Sequence, residues 1–418
     1  MLPPEVQLLD WQPVPGSVDD TVTHSGDWTL TVNESGTRAE LKGPGSASGS
    51  GSSDERISDA FIDGQYAVVV FQDKQETRAN RAEVTDLATG RRFIVDGSSD
   101  IPTTTGGTWA LGEGRLLHAT VDKRSYCLAS VDLATRKSTR GWCAPARHGF
   151  NGARTSPAGD ALLTFDDSQP ACRTVVSVSG TDAQPFPGVP DCKAWDGLLV
   201  DGGAVWSVIP KENQVEAAHL YARSADGYYD LGPGTSGSLT WCADAAYFVR
   251  DPQRDGDPAA LLRWSPGDGL TVVYESPGGQ AFLPEPRCGG DTMTVTALAE
   301  ARDEQVSATR VRQPEDLLCD AAARDHLGLH RQPAGPHPCR HPLEIAPGAV
   351  LPHLSPMRPH RRRLQGQPGD QGGRWLHDLN QGELRAGAQG AQLDGRIQHP
   401  LALAQPIQGH DGVAKLGL

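Results

Sequence analysis

Val84–Val95, VTDLATGRRFIV, decides the fold. It reads as a short strand, a tight turn through Ala88-Thr89-Gly90, and a second strand. Asp86 and Thr89 offer side-chain acceptors to the turn, and Gly90 suits the positive φ of a short hairpin loop. The unit returns as VDLATRKST at 131–139 and in weaker form at 178–184, 221–228 and 264–272. The turn centres, near Gly90, Thr135, Gly180, Ala225 and Gly267, are 45, 45, 45 and 42 residues apart. A period of that length marks a repeat protein.

A second hairpin precedes each of these. AFIDGQYAVVVF, TWALGEGRLLHATV, RTSPAGDALLTF, LLVDGGAVWSVI, WCADAAYFV and RCGGDTMTVTAL each carry a turn of Gly or Asp followed by a β-rich run. Each unit is therefore four short strands. Such a unit cannot close its own core and must stack its faces on neighbours, which a closed ring allows. The expected fold is all-β: a β-propeller over 23–311.

The motifs carry a resemblance. SPAGDALLTF resembles the SPDG-type turn of TolB-like and WD40-like bacterial propellers, and VTDLATG and VDLATR resemble their D-x-x-T-G outer hairpin. The resemblance covers roughly 57–311 and implies architecture; many unrelated activities share this ring. The WD and GH pairs of eukaryotic WD40 repeats are missing, so no partner carries over from them.

Six units run from Ile57 to Val311. GDWTLTV and TRAELKG, followed by GSASGSGSSDE as a loop, make a seventh. Seven four-stranded blades are expected, with six or eight as alternatives. The last unit lacks an outer strand, and Val6–Val14, within the N-terminal segment 1–22, is the candidate to close it.

The chain changes character after Val311. Nine of the thirteen histidines but only one of the twenty-four aromatic residues, Trp375, lie beyond it. Up to Val311 there are 26 Lys+Arg and 42 Asp+Glu, a balance of −16; the remainder holds 12 and 10, a balance of +2. Low hydrophobicity with abundant Pro, Gly, Gln, Arg and His cannot offset ordering entropy. Residues 312–418 are expected to form a disordered tail, or to be the product of a shifted reading frame, since the break falls inside a unit.

The acidic body argues against a nucleic-acid partner, and no apolar run reaches the length of a membrane span. Cys127 and Cys143 are symmetric about Thr135, and Cys172 and Cys192 about Asp182. Residues so placed face each other across a hairpin, which predicts two disulfides. Cys242 and Cys288 either bridge adjacent units or remain thiols. Disulfides imply an extracytoplasmic, oxidising compartment, although no signal peptide is visible in this chain.

No nucleophile elbow, HExxH, phosphate loop or dinucleotide fingerprint is present. Asp251, Asp255 and Asp257 depart from calcium-loop spacing, and the tail's Cys and His residues lack a packed shell for zinc. No cofactor, metal or catalytic residue is therefore assigned. Trp109, Arg154, Trp241 and Arg287 fall on one face of the inner strands, a candidate ligand surface for an anionic or planar group at the channel mouth. The plainer reading makes the tryptophans inter-blade packing and the arginines salt bridges. The expected function is a monomeric, non-enzymatic binder of a protein, peptide or glycan through rim loops and channel mouth. The alternative is a propeller enzyme of lactonase, lyase or glycoside hydrolase type with an axial carboxylate or metal site.

Overall fold

The computed structural model describes residues 1–45, 47–211 and 213–309, together with two short strands, Leu393–Asp394 and Arg396–Ile397, that pair with each other. The expected disordered or frame-shifted tail at 312–418 otherwise lies outside the described residues.

Seven sheets of at least four strands form a β-propeller. The blades span 21–50, 55–95, 109–143, 148–185, 194–233, 240–279 and 287–309. In the first six, consecutive antiparallel strands run from an inner to an outer edge. The founding hairpin pairs Arg81–Asp86 with Arg92–Val95 in blade 2. The Asp86 carboxylate accepts the Ala88 and Thr89 N–H groups, the Thr89 hydroxyl accepts from Arg91, and Gly90 sits at φ 69°. The same aspartate cap recurs at Asp132, which takes the Thr135 N–H and hydroxyl.

Six hydrophobic clusters fill the interfaces from blades 1–2 to blades 6–7. Val68, Val84, Leu116 and Val131, each no more than 2 % exposed, occupy the 2–3 interface. The seam between blades 7 and 1 is made differently. There Gln305 donates to the Asp20 carbonyl, and Gly289 lies so close that an added Cβ would stand 2.0 Å from the His24 carbonyl oxygen.

The N-terminal segment binds two blades. Gln12–Pro13 pairs antiparallel with Glu304–Thr309 and supplies the fourth strand of blade 7. Glu5–Val6 pairs parallel with Gly269–Gly279 as a fifth strand on blade 6, a role the sequence pattern did not suggest. Between them Trp11 donates its indole N–H to the Val273 carbonyl at 2.8 Å and meets Tyr274 edge-on at 5.2 Å. The stretch read as a loop after TRAELKG contains Ala47–Ser50, the outer strand of blade 1. An edge strand needs only backbone partners on one side, so its Gly/Ser composition hid it.

Three disulfides are present. Cys127 and Cys143 are directly opposed across the third and outer strands of blade 3. Cys172–Cys192 ties the residue before Arg173–Ser179 to the connection that follows blade 4. Cys242–Cys288 links the inner strands of blades 6 and 7, which resolves the pairing left open by spacing. Among the described residues no helix is long and apolar enough to cross a membrane.

Candidate functional site

A cavity of about 1640 Å³ opens where the inner strands begin. Every blade or its lead-in loop contributes, through residues such as Thr21, Arg56, Thr108, His148, Ala194, Ser236 and Arg287. The lead-in loops are aperiodic, whereas the strands that hold them are buried and regular.

The walls differ in charge. Asp19, Asp20, Glu34, Asp59 and Glu76 line the side of blades 1 and 2, where Arg56 is the one cation among the described lining residues. Arg147, Arg154, Arg173, Lys193 and Lys211 outnumber Asp166, Asp191 and Asp196 on the side of blades 4 and 5, with Phe150, Phe165 and Trp195 among them. The Arg173 guanidinium lies over the Trp195 ring at 5.5 Å, and Arg147 pairs with Asp167 at 2.5 Å. Asp166 accepts from the Ser168 N–H and hydroxyl and from the Cys172 N–H. The Ser168 hydroxyl is the main reason its carboxyl is held below the usual range.

A polar crossbar lies toward the axis. Arg154 of blade 4 donates from Nε to the Leu239 carbonyl at 2.9 Å, and from Nη2 to the Gly237 carbonyl at 3.2 Å. The same Nη2 meets Glu285 Oε1 at 2.9 Å. Glu285 Oε2 is 3.6 Å from Arg287 Nη2, an ion pair without a hydrogen bond. Beside this, buried Asp196 takes the Ser207 hydroxyl on Oδ1 and the Gly237 N–H on Oδ2. Burial pushes its carboxyl up, against the Ser207 hydrogen bond and the charge of Arg154.

Of the four residues proposed as a ligand surface, Arg154 and Arg287 line the cavity and share Glu285. Trp109 is 5 % exposed in the 2–3 interface and stacks on His118 at 5.3 Å. Trp241 packs against the 5–6 cluster. The physical reason is geometric: the faces of a propeller sheet look at the neighbouring blades, so a shared strand face selects an interface. Arginine reaches the channel from such a face because its stem is long enough to carry the charge past the packing.

The sequence reading missed Asp196, Glu285 and the basic wall. Glu285 had a signal: it stands between Pro284 and Pro286, immediately before Arg287. Prolines on both sides hold the backbone extended and fix where the carboxylate points. Asp251, Asp255 and Asp257 do not converge; among the described residues no three acidic, histidine or cysteine side chains form a metal-holding group.

No family model and no curated protein sequence matches the chain. Among solved structures it is similar to the β-propeller domain of the Trilobed protease from Pyrococcus furiosus, at 9% identity over 69% of this chain and 94% of that one, with a TM-score of 0.49. A prolyl endopeptidase aligns at 12% identity over 68% of this chain, 46% of that chain, with a TM-score of 0.48. TolB from Acinetobacter baumannii aligns at 11% over 70% and 79%, with a TM-score of 0.36. These likenesses concern fold alone, and the fold assignment rests on the strand pairing described above.

Proposed function

We propose that this propeller is a non-enzymatic binding protein of an extracytoplasmic compartment, acting as a single chain, whose mouth takes an extended peptide segment. The supporting observation is the cavity, about 1640 Å³ with walls of opposite charge. Sites for small molecules usually enclose about 300–1,000 Å³, and a peptide carries groups of both signs together with apolar side chains. A glycan is less well matched. Phe150 is 1 % exposed and Trp195 has Arg173 over its ring, so neither is an open stacking platform. The three disulfides support the compartment.

The test is retention of a random hexapeptide library on the immobilised full chain, beside a panel of neutral and acidic oligosaccharides. Enrichment of intact peptides supports the reading. Retention of oligosaccharides alone would replace the ligand class, and recovery of shortened peptides would replace binding with catalysis.

A further inference from the structure

Among the described residues Arg287 is the arginine of the mouth whose donors are least used. Its side chain is only 22% exposed, yet its sole interaction among the described residues is the 3.6 Å ion pair with Glu285. A guanidinium carries five N–H donors in a rigid fork, and this one borders the cavity. Directly opposite it in strand register stands Thr294, which lines the same cavity. Thr294 is 2 % exposed, and its hydroxyl is buried with no hydrogen-bond partner among the described residues. Buried hydroxyls are ordinarily paired; here an unpartnered hydroxyl and a guanidinium held only by a long ion pair stand at facing register positions in the cavity wall.

The charge there is also uneven. Arg154 and Arg287 share one carboxylate, Glu285, there, and burial pushes the carboxyl of neighbouring Asp196 up. Arg154 is committed to Glu285 and to two backbone carbonyls, whereas Arg287, which lines the cavity, makes only the 3.6 Å ion pair. Glu285 would repel a dianion. A single carboxylate fits the Arg287 fork in the bidentate manner that guanidinium favours.

We infer that Arg287 and Thr294 form a carboxylate subsite in the blade 7 wall of the mouth. Arg154 acts through Glu285 as a positioning residue. Resting on the peptide reading, this deepens it: the peptide engages by a free carboxylate, at its C-terminus or on an acidic side chain.

The experiment follows the arginine Nε–H resonances of the full chain during titration with propionate, with propionamide as the uncharged control. Saturable movement of the Arg287 resonance with propionate alone is expected, lost in Arg287→Gln and weakened about threefold or more in Thr294→Val. Equal response to both compounds, or no saturable response, overturns the subsite whatever the peptide library does. A second arm compares hexapeptides with free and amidated C-termini, each with and without acidic side chains. A tenfold or greater loss on removing every carboxylate is expected. Undiminished retention of carboxylate-free peptides overturns the subsite while leaving peptide binding intact. A carboxylate response without retention of any peptide would keep the subsite and remove the peptide reading.

Discussion

Arg154 and Glu285 meet at 2.9 Å across the channel although 131 residues separate them in the chain. One guanidinium thereby joins the inner strand of blade 4 to the lead-in loops of blades 6 and 7. Its neighbour Arg287 makes only a loose contact to the same carboxylate. The two arginines of the mouth thus have separate duties.

Their alanine variants should therefore differ. Arg154→Ala removes a hydrogen bond from Glu285 and from each of two carbonyls and should cost about 3 kcal/mol or more. Arg287→Ala breaks one long ion pair and should cost under about 1 kcal/mol. Denaturant unfolding of both single variants measures this. Equal losses would remove the distinction between a structural and a ligand-facing arginine.

The blades were legible because hairpins with aspartate-capped turns repeat, and because Val, Leu and aromatic residues alternate in the strands between them. Cys127–Cys143 was legible for the same reason: symmetry about a turn places residues in register. The partners of Arg154 were not, since Gly237, Leu239 and Glu285 sit in lead-in loops that follow no period. Trp109 and Trp241 pack in blade interfaces, the plainer of their two sequence readings, because strand periodicity reports a face and in a ring the face belongs to a neighbour. The parallel strand Glu5–Val6 left no pattern, because it is two residues long and makes backbone contacts.

Peptide mapping without reductant, on protein made in an oxidising compartment, should recover Cys127–Cys143, Cys172–Cys192 and Cys242–Cys288. The last closes the longest segment, a separation of 46 residues against 16 and 20. On loop-closure entropy, replacing both of its cysteines by serine should cost about 3–4 kcal/mol, more than opening either of the others. Alkylation of all six of these cysteines in native protein would contradict both the staples and the compartment.

Trp11 anchors the segment that completes blade 7. Trp11→Ala should lower stability by about 2 kcal/mol, the low side for a buried indole because Trp11 is only partly buried. It should also speed amide exchange in Glu304–Thr309 more than in blades 2 to 4. Uniform acceleration around the ring would contradict a local closing role.

Acid sensitivity should centre on Asp73. Its side chain is 5% exposed and accepts from the Arg78 guanidinium at 2.8 Å and from the Thr77 hydroxyl at 2.6 Å. Arg78 first, then Thr77, hold the carboxyl well below its ordinary value of 3.8. A depressed folded value means the carboxylate's contribution is whole above about pH 4 and lost as pH falls through the folded value. Asp73→Asn should be less stable at pH 7 and lose less on acidification between about pH 4 and 2. An unchanged acid slope in the variant would count against this.

The most direct test of the mouth as the working surface is hydrogen–deuterium exchange of the full chain, with and without the peptides it retains from the library. Protection is predicted in the lead-in loops around 103–108, 147–152, 191–196, 236–238 and 284–287, with the outer strands of blades 2 to 5 unchanged. Protection confined to those outer strands, with the lead-in loops exchanging as in the free protein, would contradict the account.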